Sequence, residues 1–436
     1  MKKSFPSQGP RVLMMGYNGA NNTGAEALLQ ADIEDVKAVL PGARITVPTL
    51  NEANLRRYLQ ENAKLRIAPC PTLFFGALRR LVRESDLVLL VEGSTYMDTW
   101  GSPLLWAFLW VTCCAADMGK PSLAYAVDAG LLSPANQRRV KSIASRTNLI
   151  VRRNRAAAKR LRDMGVIAPL EHTADNAFVF QPRGVDRDWV RNDWPAARSG
   201  MVGLSMVDFS LWPAVMRPWG PKDRCYKWPY YFSTSRERAQ SSDMLARGYA
   251  ELADRVLERT GKAVALISME QVDEPLAANV HRLMKHPEGA RVFSARQYDA
   301  SQMTILLRSL DLLVTSRFHA SVLSLAAGVP QVAVGHDTRL STHYQDLGLK
   351  DAWFIDPGAG RGPAWQGSMP KLFAELQNRV DLLLENPGLQ SDVLCRGYTE
   401  HLSRARRNRK LLSDFVAGYL GYAAGADLKG SRSWVA

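Results

Sequence analysis

Three cationic side chains fall at spacings where they could hold an anion. The run from Asp311 to Arg339, DLLVTSRFHASVLSLAAGVPQVAVGHDTR, places Arg317, His319 and Arg339 just beyond two short apolar segments, Leu312–Thr315 and Pro330–Val334. A helix-length stretch of small apolar residues separates them, so the segment reads as one βαβ unit of a parallel sheet. Open α/β sheets take their ligands at the carboxyl ends of the strands. Ser316 then lies at a strand-to-helix turn, with Arg317 and His319 at the helix start, where free N–H groups and the macrodipole favour negative charge. The expected ligand is a phosphate or a carboxylate. The plainer alternative is that Arg317 caps a strand end and His319 packs against its helix.

Three further stretches carry polar groups at comparable places. The loop Gly16-Tyr17-Asn18-Gly19-Ala20-Asn21-Asn22-Thr23-Gly24-Ala25-Glu26 follows a short apolar segment and offers amides at Asn21 and Asn22 and a carboxylate at Glu26. Such a loop can cradle a polar ligand at a helix start. It is not a P-loop, because no Gly-Lys-Ser/Thr follows, and it lacks GxGxxG spacing, which disfavours ATP and NAD. Asp98 closes the segment Glu92-Gly93-Ser94-Thr95-Tyr96-Met97-Asp98 after another strand, where a carboxylate can orient a sugar hydroxyl or accept its proton. Its alternative role is the N-cap of a helix starting near Leu104. Arg152 and Arg153 end a further strand and add cations at the rim.

These residues need a scaffold, and the chain is long enough for two domains. It has 436 residues, of which 46% are hydrophobic and 22% charged, close to a globular norm that excludes wholesale disorder, collagen and coiled coil. Lys+Arg 56 against Asp+Glu 42 gives a net charge of +14, which attracts anionic partners without choosing among them. No aromatic-interleaved basic motif accompanies the clusters at 152–162 and 404–410, so nucleic acid is not an expected partner. The 5 cysteines form no CxxC pair and no zinc spacing, which points to reduced thiols and no metal. MKKSFPSQGP lacks the apolar core of a signal peptide, so a cytoplasmic location is expected. The apolar window Pro103–Ala116 falls short of the roughly 20 residues that span a bilayer and reads as a buried helix.

Apolar strands are expected at Arg11–Gly16, Arg44–Pro48, Asp86–Val91, Ser122–Val127 and Leu149–Val151, and again at Met201–Met206, Ala263–Ser268, Arg291–Phe293, Leu312–Thr315 and Gln331–Val334. The expected organisation is a Rossmann-like domain over 1–182, a polar linker over 183–198, a second Rossmann-like domain over 199–368, C-terminal helices over 369–424 and a frayed tail over 425–436. Leu211–Ser233, with its tryptophans, tyrosines and prolines, is expected to be an irregular loop suited to sugar stacking or a lipid interface. Two α/β domains with parallel sheets facing a cleft, closed by C-terminal helices, form a GT-B-like arrangement.

Over about Val12–Asp351 the chain resembles the polysaccharide pyruvyl transferase family. The resemblance lies in GYNGANNTGAEALL, VEGSTYMD, PSLAYAVDAG, Val151-Arg152 with Gly165-Val166, and above all Ser316-Arg317-Phe318-His319-Ala320, Ala327-Gly328-Val329-Pro330 and His336-Asp337-Thr338-Arg339. It implies a GT-B fold and transfer of a pyruvyl (enolpyruvyl) group from phosphoenolpyruvate to sugar hydroxyls as a ketal, with no metal or other cofactor. It further implies Arg317, Arg339 and Arg152 on the donor anions, His319 as general acid and Asp98 on the acceptor hydroxyl, with Asn21, Asn22 and Glu26 as substrate contacts. The acceptor side is the first domain and the donor side the second. The sequence departs from the family pattern at Ala25, where a carboxylate is missing, and at Glu92, where a glycine is replaced.

Two alternatives stay open at the level of sequence: a glycosyltransferase of the same fold using a nucleotide sugar, and a binding protein that has lost the reaction. The expected partners are phosphoenolpyruvate and a sugar or lipid-linked oligosaccharide. The positive charge and the aromatic segment add an expected peripheral contact with the inner membrane face.

Overall fold

Short β-branched and leucine-rich runs buried along their whole length form central strands of parallel sheets, where helices cover both faces. In the computed structural model, which describes residues 9–99, 101–210, 214–217, 219–220, 225–227, 230–232, 235–335, 338–358 and 362–421, such runs organise two α/β units. The first holds the residues up to Ala20, Ala25–Phe180 and those from Glu400; the second holds Asn21–Gly24 and Gln181–Thr399.

The first unit contains β1 (Arg11–Met15), β2 (Arg44–Thr49), β3 (Leu65–Pro69), β4 (Leu87–Leu90), β5 (Ser122–Val127), β6 (Leu149–Arg152) and β7 (Leu170–His172). They form one parallel sheet in the order β3-β2-β1-β4-β5-β6-β7, so the chain reverses its direction of winding between β1 and β4. The helix Ser102–Asp117 packs into the core on one face through Leu105, Phe108, Leu109 and Val111, as expected for a buried helix. On the other face Leu29, Ile33 and Val36 from Thr23–Val39 meet Leu411, Leu412, Phe415 and Val416 from the helix Ser391–Leu420. A polar network around the buried Asp35 and Asn408 holds that helix in place. Arg409 donates to Asp35 at 2.7 Å, Tyr125 donates to the same carboxylate at 2.7 Å, and Asn408 donates to the Ala174 carbonyl at 3.0 Å.

The second unit contains β8 (Met201–Ser205), β9 (Ala214–Met216), β10 (Cys225–Lys227), β11 (Tyr230–Phe232), β12 (Ala263–Ser268), β13 (Ala290–Ser294), β14 (Leu312–Thr315), β15 (Gln331–Val334) and β16 (Phe354–Ile355). Its main sheet is parallel in the order β13-β12-β8-β14-β15-β16, with the reversal between β8 and β14. The segment expected to be an irregular loop instead carries β9, β10 and β11, an antiparallel sheet of order β10-β11-β9. Tyr231 and Phe232 of β11 are buried, while Pro213, Pro218, Pro221 and Pro229 lie outside the described residues. Trp219 is 76% exposed, while Trp212 and Trp228 lie outside the described residues, as does the tail 425–436. Among the described residues no helix is long and apolar enough to cross a membrane.

The packing of the C-terminal helix makes a direct prediction. Leu412 is fully buried, so Leu412→Ala should cost about 2–5 kcal/mol of unfolding free energy, read by urea denaturation. An unchanged midpoint would show that this helix does not complete the first unit's core.

Candidate functional site

In the second unit β14 ends at Thr315, beside the reversal point, and delivers Arg317 and His319 to the carboxyl edge of the sheet. Thr315 fixes the turn: its hydroxyl donates to the Arg317 carbonyl and accepts from the Arg317 N–H, each at 3.0 Å. Three of the guanidinium's N–H groups go to carboxylates of the chain, where the sequence reading expected an anionic ligand. Its Nε donates to Asp273 at 2.9 Å, Nη2 donates to the other Asp273 oxygen, and Nη1 donates to Glu270 at 3.0 Å. The physical reason is burial. A desolvated arginine needs counter-charge, and the turn after β12 supplies two carboxylates that also close a capping box on each other. Burial opposes the charge on Arg317, but the pull of Asp273 and Glu270 outweighs it and the group stays cationic. Burial in turn pushes the Asp273 carboxyl up, to about 6, against the pull of the arginine.

Residues 21–24 strap onto the same turn. Asn22 bridges Glu270 in antiparallel fashion, Thr23 N–H donates to the Met269 carbonyl at 2.9 Å, and Gln271 N–H donates to the Asn21 carbonyl at 3.1 Å. Asn21 adopts φ +48°, in the left-handed region, and its side-chain amide donates to Gln271 at 2.9 Å. Its amide therefore serves the strap, where a ligand contact was expected. Gly24 lies so close to His319 that an added Cβ would stand 2.0 Å from Nδ1. The absence of a side chain at 24 is what lets the imidazole keep its place. Asn21, Asn22, Arg317 and His319 are thus brought together. Arg339 stands in the first turn of Thr338–Asp346, after β15, the neighbour of β14; His336 and Asp337 lie outside the described residues.

The first unit has its own polar edge. Arg153, at 4% exposure, follows β6 and is held by Asp128 at 3.2 Å and by Asp175, while Asn154 also donates to Asp128 at 2.8 Å. Its guanidinium lies against Gly93, where a Cβ would meet Nη1 at 2.3 Å. Beside it, at the reversal between β1 and β4, the buried Glu92 accepts from the N–H groups of Tyr17 at 3.3 Å and Ser94 at 3.1 Å. The sequence marked Glu92 only as a departure; its position directly after β4, opposite the loop after β1, was the signal for a carboxylate at the switch point.

Two expected site residues are engaged within the fold, and a third ends its strand as expected. Asp98 accepts from the Ser133 N–H and hydroxyl at 3.0 and 2.8 Å and from Asn136 at 2.7 Å, so it anchors the start of the helix Pro134–Ala144, not the helix at Ser102. Glu26 is buried and accepts from Asn54 at 3.2 Å and Arg57 at 3.1 Å. Arg152 is 8% exposed at the end of β6, with Nε and Nη1 paired to nothing among the described residues. No group of three or more metal-ligating side chains occurs among the described residues.

Removing Arg153 should leave Asp128 and Asp175 buried without their cation. Arg153→Met is expected to lose about 3–5 kcal/mol of stability by chemical denaturation; a loss near zero would show that the two aspartates do not depend on it.

Comparison with known proteins agrees with this architecture. The solved structures that resemble the chain include S. aureus MnaA with UDP (TM-score 0.58, 10% identity, 97% of this chain and 99% of that chain covered). They also include Anabaena HepE with UDP and glucose (TM-score 0.55, 13% identity, 94% and 99% covered) and the UDP-N-acetylglucosamine 2-epimerase of Rickettsia bellii (TM-score 0.53, 9% identity, 95% and 98% covered). At such identities the likeness establishes the GT-B fold. No curated protein matches the chain by sequence. The model of one family matches residues 22–338, a span that contains Glu92, Arg153, the Arg317–His319 turn and all of the strap but Asn21, and the chain therefore belongs to the polysaccharide pyruvyl transferase family.

Proposed function

We propose that the protein transfers the enolpyruvyl unit of phosphoenolpyruvate to sugar hydroxyls of a polysaccharide or its lipid-linked precursor and closes it as a ketal. The observation that carries this reading is the family match across 22–338 together with the position of His319, at the carboxyl edge of β14 and seated against Gly24.

The chemistry asks for few groups. His319 donates a proton to C3 of the enol, which leaves C2 electrophilic; an acceptor hydroxyl adds its oxygen there and gives up its proton. The C2–O bond to phosphate then breaks, a second hydroxyl adds to C2 and loses its proton, and inorganic phosphate leaves. Protons balance, because each hydroxyl proton lost is matched by the one taken up at C3 and the one carried off with phosphate. Arg339 is assigned to an anionic group of the donor, a task suited to a planar fork. Arg317, held by Glu270 and Asp273, is a positioning residue for the turn that presents His319.

Calorimetric titration tests the donor assignment. Phosphoenolpyruvate should bind the wild type, and Arg339→Ala should weaken it about 10–100-fold, the worth of one charged hydrogen-bonding group. UDP and GDP serve as controls. Binding of a nucleotide with no binding of phosphoenolpyruvate would overturn the reading in favour of a nucleotide-sugar enzyme.

His319 is tested separately by phosphate release from phosphoenolpyruvate over a panel of sugar acceptors. His319→Gln should lower release at least about 100-fold, the usual contribution of a general acid, while leaving donor affinity within about threefold. Undiminished release would remove His319 from the chemistry.

A further inference from the structure

Adjacent arginines at the end of β6 meet opposite fates. Arg153 has two buried carboxylates, whereas Arg152, at 8% exposure, has an Nε and an Nη1 with no acceptor among the described residues. Arg152 is in register with His172 on β7, so the two side chains are neighbours on one face of the sheet. His172 Nε2 is likewise buried without a partner, and so is Nε of Arg404, which the C-terminal helix brings to the first unit. Among the described residues Arg404 pairs with Glu400, at 4.0 Å.

The surroundings add charge of the same sign. Arg162 acts on Arg152, with Glu171 as the opposing carboxylate, and Arg155 and Arg407 join Arg152 and Arg404 in acting on His172. Arg155, Arg162 and Arg407 are exposed, and the Arg404 side chain is 18% exposed. Burial, followed by this field, pushes the imidazole down to about 4, so it is neutral at pH 7. Buried donors go unmatched rarely in folded proteins, and several on mutually repelling cations call for an anion.

We infer that Arg152, His172 and Arg404 form an anion site in the first unit for a phosphate group, either a phosphate ester in solution or a lipid headgroup. Phosphate suits the donors because it presents several oxygens to forked guanidinium groups at once. The site is separate from the donor residues of the second unit and does not rest on the pyruvyl-transfer reading. Arg152 acts here as part of a site in its own right, where the family resemblance made it a further contact for phosphoenolpyruvate.

The test uses the whole chain and inorganic phosphate and pyrophosphate as probes. Wild-type melting temperature should rise with either probe and not with chloride at equal ionic strength, as a ligand bound only by the folded state requires. In nuclear magnetic resonance titrations, the midpoint of His172 should move up from about 4 toward the ordinary 6.5 when phosphate is added. Arg152→Gln should abolish both responses, and should melt no lower than wild type without phosphate because it removes an unpaired buried charge. Arg404→Gln provides the same test should the first variant fail to fold. Arg339→Ala should keep both responses, which separates this site from the donor assignment. Sedimentation with phosphatidic acid vesicles distinguishes the sources: binding there, lost in Arg152→Gln, with no response to soluble phosphate assigns the phosphate to a headgroup. No response of the wild type to any probe beyond that to chloride, or full responses in both arginine variants, would overturn the site.

Discussion

Burying an arginine at the edge of a parallel sheet is the constraint around which both units are arranged. A guanidinium withdrawn from water has lost its hydration, and the loss is offset only when carboxylates and hydrogen bonds replace it. Each unit solves this in the same way. Arg153, just after β6, lies between Asp128 and Asp175; Arg317, just after β14, lies between Glu270 and Asp273. In each case the carboxylates come from turns that follow other strands or precede a short helical turn, so one buried cation pins several loops at once. Those loops form the carboxyl edge where ligands of such sheets are held.

The fixed arginines set what their neighbours can do. Because Arg153 presses on the backbone at Gly93, the turn after β4 cannot take a side chain at that position, and the carboxylate beside it, Glu92, is held by backbone N–H groups of two loops. Because Arg317 is neutralised locally, the chemistry of the second unit's edge passes to His319, which the strap 21–24 covers closely through Gly24. A paired arginine thus acts as framework, and reactivity falls to the groups it leaves in place.

The central strands were legible in the sequence because burial on both faces forces continuous apolar runs: Ser122–Val127, Ala263–Ser268 and Leu312–Thr315 were read at their observed bounds. Strands missed by that reading lie at sheet edges. β3 and β7 flank the first sheet and β16 ends the second; Arg66 interrupts β3, Glu171 interrupts the three-residue β7, and β16 has two residues, too few for an apolar run to show. The antiparallel strands β9 to β11 were hidden by the prolines between them. At the site, the sequence found Arg317, His319 and the asparagine loop, since strand ends can be located from composition. It could not supply partners: Asp273 lies 44 positions before Arg317, and Ser133 lies 35 positions after Asp98. Those separations decide whether a charged group is free to act, and they are set by topology alone.

The first unit is closed by residues from distant parts of the chain, as the ion pair of Asp35 with Arg409 across 374 positions shows. During synthesis the sheet face that receives Leu411, Leu412, Phe415 and Val416 is made long before those residues leave the ribosome. The N-terminal unit must therefore wait with an open apolar face while the second unit is translated. The domain begun first is the one completed last, and the interval between is when a chaperone has the most surface to bind.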